Sequence, residues 1–281
     1  MSRLRACFGR MQAEGRKALI PYIMTGDPHP EVTVPLMHAM VKAGADIIEL
    51  GAPFSDPMAD GPVIQAAAER ALEFNITLDD VFNAVSEFRK LDDSTPIIMM
   101  GYLNLIEVAG YQNFAKRAAE IGIDGVITVD MPPEEADAYI AALKGSALDP
   151  VFLIAPTSTE HRIAKIGAVA SGFVYYVSLK GVTGAANLDV DSVREKVEMI
   201  RKKIDLPIGV GFGISDAQAA AQISACSDAV VVGSAIVKRM AVHQQHSPDQ
   251  TQQVITDVSE LLSSMRAAMD ANTAAEISRM A

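Results

Sequence analysis

Glu49 stands in A-D-I-I-E-L-G, an otherwise apolar run. A lone carboxylate in such a setting is costly to keep ionised, or it holds its proton through a raised pKa. Either outcome suits a general acid or base. The alternative is a glutamate paired with a neighbouring lysine or arginine. The loop that follows, G-A-P-F-S-D-P-M-A-D-G-P over residues 51–62, sets Asp56 and Asp60 among prolines. Either aspartate can accept a hydrogen bond from a substrate N–H or O–H. Asp60 also stands where it can cap a helix that begins at Pro62.

A second constellation is rich in glycine. G-V-G-F-G-I-S (209–215) and V-V-G-S-A-I-V (231–237) each carry an apolar run into a helix-like stretch. Gly213, Gly233 and Ser234 fall at the junctions. Glycine lets backbone N–H groups approach an anion, and a helix N-terminus adds partial positive charge. Tight turns use the same residues, so each alone is ambiguous; the two together favour a phosphate site. S-L-K-G-V-T-G (178–184) holds Gly181 and Gly184, which suit a mobile lid. Tyr22, Phe54, Tyr102, Tyr175 and Phe212 lie at or near the ends of apolar runs, where a planar ligand can pack between them or where they fill a rim. Asp130, Asn104, Ser178 and Thr183 read as turn, cap or structural residues.

The elements that must carry these groups repeat. Eight short apolar runs occur at Ala18–Thr25, Ile47–Leu50, Ile97–Met100, Gly125–Val129, Val151–Ile154, Phe173–Val177, Ile208–Gly211 and Ala229–Gly233. They are continuous rather than alternating, as a strand buried on both faces requires. Amphipathic stretches lie between them, among them Glu31–Ala43, Leu78–Leu91, Tyr111–Ile121, Pro133–Leu143, Val190–Lys203 and Ser215–Cys226. Strand then helix, repeated, means parallel strands with right-handed crossovers. The expected fold is α/β, a closed (β/α)8 TIM barrel, with an open doubly wound sheet as the fallback. An extra N-terminal helix shows one face, Leu4, Cys7, Phe8 and Met11. A long C-terminal helix, Thr251–Met280, carries Val254, Val258, Leu261, Leu262 and Met265. No linker divides the chain, so residues 1–281 read as one domain. The site belongs at the C-terminal ends of the strands, where Asp27, Glu49 and Asp130 fall.

Composition narrows the function. The 281 residues are 49% hydrophobic and 21% charged, an ordinary globular balance. Asp and Glu number 35 against 24 Lys and Arg, a net charge of −11. That field repels nucleic acid and anionic membrane, and it requires a bound phosphate to be held mainly by backbone dipoles. No apolar stretch suits a membrane span, and the N-terminus, broken by Arg and Glu, does not read as a secretory signal. Cys7 and Cys226 suit reduced, buried thiols of a cytoplasmic protein. The five histidines (29, 38, 161, 243 and 246) form no zinc motif, so no metal is expected.

The motif E-L-G-A-P-F-S-D-P-M-A-D-G-P, followed in order by G-V-T-G, G-F-G-I-S and G-S-A-I-V, resembles the tryptophan synthase alpha chain family. T-G-D-P (25–28) and D-M-P-P-E-E (130–135) agree, and the likeness spans roughly residues 3–240. The resemblance implies a (β/α)8 lyase that cleaves indole-3-glycerol phosphate by retro-aldol chemistry. Indole and glyceraldehyde 3-phosphate are the products, made in L-tryptophan biosynthesis. It implies no cofactor on this chain, pyridoxal phosphate on a partner beta chain, and an alpha2-beta2 heterotetramer. Glu49 becomes the acid–base residue at indole C3 and the glycerol hydroxyl, and Asp60 the carboxylate at the indole N–H. Two carboxylates in one pocket also push their pKa values apart. Gly184, Gly213, Gly233 and Ser234 become the phosphate site. Tyr22, Tyr102, Tyr175 and Phe212 line the pocket, Thr183 belongs to the lid, and the 54–60 loop is both wall and beta-chain contact. One departure stands out: the lid of the family reads S-R-x-G-V-T-G, and Leu179 takes the place of that arginine, with Lys180 beside it.

Overall fold

The computed structural model describes residues 2–178, 189–211, 213–243 and 247–280, without the side chains of 248 and 273–280. Leu179, Lys180, Thr183, Gly184 and Phe212 therefore lie outside the described residues. Eight parallel strands close into a barrel in chain order: β1 (Ala18–Met24), β2 (Ile48–Gly51), β3 (Ile97–Gly101), β4 (Gly125–Thr128), β5 (Asp149–Ile154), β6 (Val174–Val177), β7 (Ile208–Gly211) and β8 (Ala229–Val232). The ring is completed by β8 pairing with β1, Ala18 opposite Ala229.

Helices fill the crossovers: α1 (Arg3–Ala13) before the first strand, then α2 (Thr33–Lys42), α3 (Pro62–Glu73), α4 (Leu78–Arg89), α5 (Leu103–Ala109), α6 (Tyr111–Glu120), α7 (Asp137–Gly145), α8 (Glu160–Val169), α9 (Val190–Arg201), α10 (Ala217–Ser224), α11 (Ser234–Met240) and the long α12 (Pro248–Met280). A 3-10 turn at Pro30–Val32 precedes α2. The local signals explain the starts. Thr77 and Asp80 form a capping box on α4, Asp216 caps α10, and Pro62 opens α3 as its first helical residue. Two boundaries shift. Pro133 opens a turn, and α7 starts only at Asp137; α10 starts at Ala217, two residues inside the Ser215–Cys226 stretch.

The strands are buried on both faces. Their outward residues meet the helices in the main core. Their inward residues, among them Ala18, Ile20, Ile47, Ile98, Ile127, Val151, Phe173, Ala229 and Val231, form a second core inside the barrel. The buried face of α1, Leu4, Cys7, Phe8 and Met11, belongs to that inner core and plugs the bottom. Burial pushes the Cys7 thiol up to about 12 and raises Cys226, so both are poor nucleophiles, as reduced structural thiols should be. The expected face of α12, Val254, Val258, Leu261, Leu262 and Met265, is buried.

The bottom rim is tied by arginines. Asp124, at the foot of β4, accepts from Arg3 Nη1 (2.9 Å), Arg89 Nη2 (2.9 Å) and the Ile97 backbone N–H (2.9 Å). Arg89 uses its remaining donors on the carbonyls of Gly122, Asp92 and Thr95. Gly122 takes φ +93° after α6, and a side chain there would strike Arg89. Arg266 on α12 reaches Asp46 (3.0 Å) and the Lys17 carbonyl (2.9 Å), fixing the last helix to the first two strands. Loss of Arg89 would leave Asp124 with Arg3 and the Ile97 N–H and would strip the Gly122, Asp92 and Thr95 carbonyls of their buried donor. Arg89→Met is therefore expected to lower unfolding stability by about 3–5 kcal/mol, measured by urea denaturation at pH 7.

Candidate active site

Parallel register stacks inward positions from strand to strand, so the upper barrel carries one ring of side chains. Glu49 lies opposite Tyr22 and Ile98. Its inward neighbours along β2 are Ile47 below and Gly51 above. It is 2% exposed. Among the described residues Oε2 has no hydrogen-bond partner, and no lysine or arginine pairs with it. The pairing alternative is therefore not realised. Burial first, and the charge of Asp60 second, push the Glu49 carboxyl up to about 8. At neutral pH it holds its proton.

Asp60 lies on the β2–α3 loop. It does not cap α3: Gly61 occupies that position and no side chain caps the helix. Its carboxylate instead accepts from Tyr102 Oη (3.1 Å), and the same phenol oxygen accepts the Ala59 N–H (2.9 Å). Burial raises the Asp60 pKa, and the Tyr102 hydrogen bond opposes that rise. Phe54 stacks on Tyr102, with ring centroids 5.1 Å apart. The loop therefore closes over one side of the barrel mouth by a ring stack and a shared hydroxyl.

Tyr22 and Tyr175 are the aromatic walls. Each ring lies against a glycine on a neighbouring strand. A Cβ on Gly51 would come within 2.3 Å of Tyr22 Oη, and a Cβ on Gly211 within 2.3 Å of Tyr175 Oη. Gly209 makes the same room for Phe173 one layer down. Burial and the nearby carboxylates raise both tyrosines well above their ordinary range, so both stay neutral. Ser178 ties the end of β6 to β7 by donating from N (3.0 Å) and Oγ (3.1 Å) to the Gly211 carbonyl.

Gly213, at φ +77°, lies on the turn from β7 to α10. Gly233 is the N-cap of α11 and Ser234 its first residue, at the end of β8. Both positions are at the C-terminal end of the barrel, as a phosphate site after the last two strands requires. The other two tip carboxylates are structural. Asp27 is fully buried and receives both arms of Arg70 (2.6 and 3.0 Å). Asp130 accepts the Leu103 N–H (2.8 Å) at the start of α5, tying two loops of the rim together. Asn104 is exposed. Sequence reasoning passed over Arg70 and Gln65, both on α3. Gln65 donates from Nε2 to the carbonyls of Pro57 (3.2 Å) and Asp60 (2.8 Å). The one available signal was an amide in the first turn of a helix that directly follows a functional loop.

A protonated carboxyl, a second carboxylate a short distance across the mouth and two neutral aromatic walls can move a proton to and from a flat, N–H-bearing ligand. Among the described residues no group of His, Cys, Asp and Glu is placed to hold a metal. Because the walls depend on missing side chains, Gly211→Ala and Gly51→Ala are expected to displace Tyr175 and Tyr22 respectively. The chain has no tryptophan, so the displacement should read directly as a change in tyrosine ultraviolet absorbance, with the far-ultraviolet circular dichroism unchanged.

The family model described as "Tryptophan synthase alpha chain" matches residues 8–269. The tryptophan synthase alpha chain of Thioalkalivibrio sulfidiphilus is 60% identical over 96% of this chain and all of that one. That of Nitrosococcus oceani is 58% identical over 96% and 98%. Among solved structures, tryptophan synthase subunit alpha from Legionella pneumophila superposes with a TM-score of 0.88 at 44% identity, covering 96% of this chain and 99% of that one. Family match, relatives and superposition agree over nearly the whole length: the chain belongs to the tryptophan synthase alpha chain family, lyases that cleave indole-3-glycerol phosphate in tryptophan biosynthesis.

Proposed function

We propose that Glu49 and Asp60 carry this cleavage between them. The observation that supports the reading is the buried Glu49 carboxyl, unpaired at Oε2, its proton held by burial and by the charge of Asp60. Protonated Glu49 delivers its proton to indole C3, and positive charge appears at the ring nitrogen. Asp60, at the N–H, stabilises that charge. The Glu49 carboxylate then takes the proton of the C3′ hydroxyl. The oxygen forms the aldehyde carbonyl, the C3–C3′ bond breaks, and its electron pair returns to the ring. Indole and glyceraldehyde 3-phosphate leave, and Glu49 regains the proton it gave. One carboxyl serves as acid and then base because its pKa lies near working pH.

Tyr22, Tyr102, Tyr175 and Phe212 line the indole and glycerol. The phosphate lies on the backbone of Gly184, Gly213, Gly233 and Ser234, with Thr183 on the covering loop. A chain of charge −11 holds a phosphate better on oriented N–H groups than in its overall field. These proton transfers use only acid–base groups of this chain, so pyridoxal phosphate is assigned to the beta chain. The family works with a beta chain; an alpha2-beta2 complex is known for the tryptophan synthase of Pyrococcus furiosus, whose structure superposes on this chain with a TM-score of 0.82 at 33% identity. We extend that assembly to this protein. The exposed loop around Met58, 85% accessible, is the natural contact. Among the described residues no helix is long and apolar enough to cross a membrane, and we place the enzyme in the cytoplasm.

Glu49→Gln is expected to abolish indole release from indole-3-glycerol phosphate while the chain stays folded. Asp60→Asn is expected to lower kcat by roughly 10²–10⁴-fold, with a smaller change in KM; an effect confined to KM would count against its role. The pH dependence has a definite sign. The folded Glu49 holds its proton up to about 8, whereas an unfolded glutamate loses it near 4.3. The native state therefore binds more protons between those values, and this contribution to stability is lost as pH rises through the window. Wild type should lose stability relative to Glu49→Gln as pH climbs from about 5 to 9, read as the difference of their urea midpoints.

A further inference from the structure

We propose that Gln65 is a positioning residue for Asp60, clamping the loop that carries it to the first turn of α3. The inference rests on the reading of Asp60 as the charge-stabilising carboxylate. Ser55, Asp56, Met58 and Ala59 of this loop are exposed, so packing does little to hold it. Its internal bonds, Met58 N to the Asp56 carbonyl and Asp60 N to the Pro57 carbonyl, shape the turn without fixing it to the barrel. The fixing comes from Gln65. Its Nε2 gives one hydrogen to the Pro57 carbonyl (3.2 Å) and the other to the carbonyl of Asp60 itself (2.8 Å). A primary amide is suited to this: one nitrogen carries two donors and no charge.

The base of the clamp is rigid. Ala67, Ala68 and Ala71 on α3 are buried in one cluster with Tyr22 and Met24 of β1. Small side chains there let the helix lie close to the strand. One turn on, Arg70 grips the buried Asp27 with both arms. From the other side Tyr102 holds the Ala59 N–H and the Asp60 carboxylate. Gln65 thus fixes the main chain of Asp60, and Tyr102 its side chain. Reacting groups need placement within a fraction of an ångström, and a displacement of about 1 Å can cost a hundred-fold in rate.

The test is a double-mutant cycle on the full chain, using indole release from indole-3-glycerol phosphate. Gln65→Met removes both donors at similar size. It is expected to lower kcat on the order of ten- to a hundred-fold, with KM changed by less than about threefold. On the Asp60→Asn background the same substitution should cost less than about twofold, because the residue it positions is already disabled. Equal losses on both backgrounds, or no loss on the wild-type background, would overturn the proposal. Asp60→Asn turning over at the wild-type rate is a different failure: it removes the reading of Asp60 and the proposal with it. Amide hydrogen exchange gives a readout independent of turnover. Gln65→Met should speed exchange at Ala59 and Asp60 while leaving Leu50 on β2 unchanged, and unchanged exchange at all three would refute the clamp. Should Gln65→Met melt early, Gln65→Glu repeats both measurements, since its carboxylate cannot donate to either carbonyl at neutral pH.

Discussion

The structure is organised around the Glu49 carboxyl, a buried group inside an apolar barrel whose Oε2 has no hydrogen-bond partner among the described residues. The enclosed aspartates are satisfied by arginine: Asp124 by Arg3 and Arg89, the partly buried Asp46 by Arg266, Asp27 by Arg70. Glu49 has no such partner among the described residues. Asp124 and Asp46 lie at the bottom of the barrel and Asp27 at the top, each with its arginine. Below, carboxylates and guanidinium groups lock strand ends and terminal helices together. At the Glu49 carboxyl, without such a partner, desolvation raises the pKa to about 8. The closed sheet makes this possible, because it excludes water from a polar group without supplying a counter-ion.

Room for the tyrosines beside Glu49 is made by paired choices on adjacent strands. Large rings project from β1 and β6, and glycines stand beside them on β2 and β7. The hydroxyl end of each ring occupies the space that a side chain on the glycine would fill. The fourth side is the loop bearing Asp60, which is held by an amide, a phenol and a ring stack rather than by burial. Asp60 stays partly exposed, and its hydrogen bond from Tyr102 opposes the rise that burial causes, while Glu49, earlier on the same chain segment, is fully enclosed. The two carboxyls differ because one is enclosed and the other is held from outside.

Much of this was legible in the chain. All eight strands lie within a residue or two of their apolar runs, because a strand buried on both faces leaves a continuous signature. The faces of α1 and α12 were equally readable, since helical periodicity records which side meets a core. Boundaries set by competition were not. Pro133 is compatible with a first helical turn, yet the chain there makes a separate turn before α7. Asp60 suits a cap position, yet Tyr102, far away in sequence, takes its carboxylate.

The sequence by itself determined the alternation of strands and helices, the presence of a carboxylate in an apolar strand, and the glycines at the last two strand ends. These depend on residue type and near-neighbour spacing. Only the tertiary structure decided that Glu49 finds no arginine while Asp27 does, that Tyr102 and Gln65 converge on the Asp60 loop, and that Gly51 and Gly211 are spaces for tyrosines. Those facts concern groups brought together from different strands and helices by closure of the barrel. Desolvation and hydrogen bonding act on what is adjacent in space, and no local pattern records it.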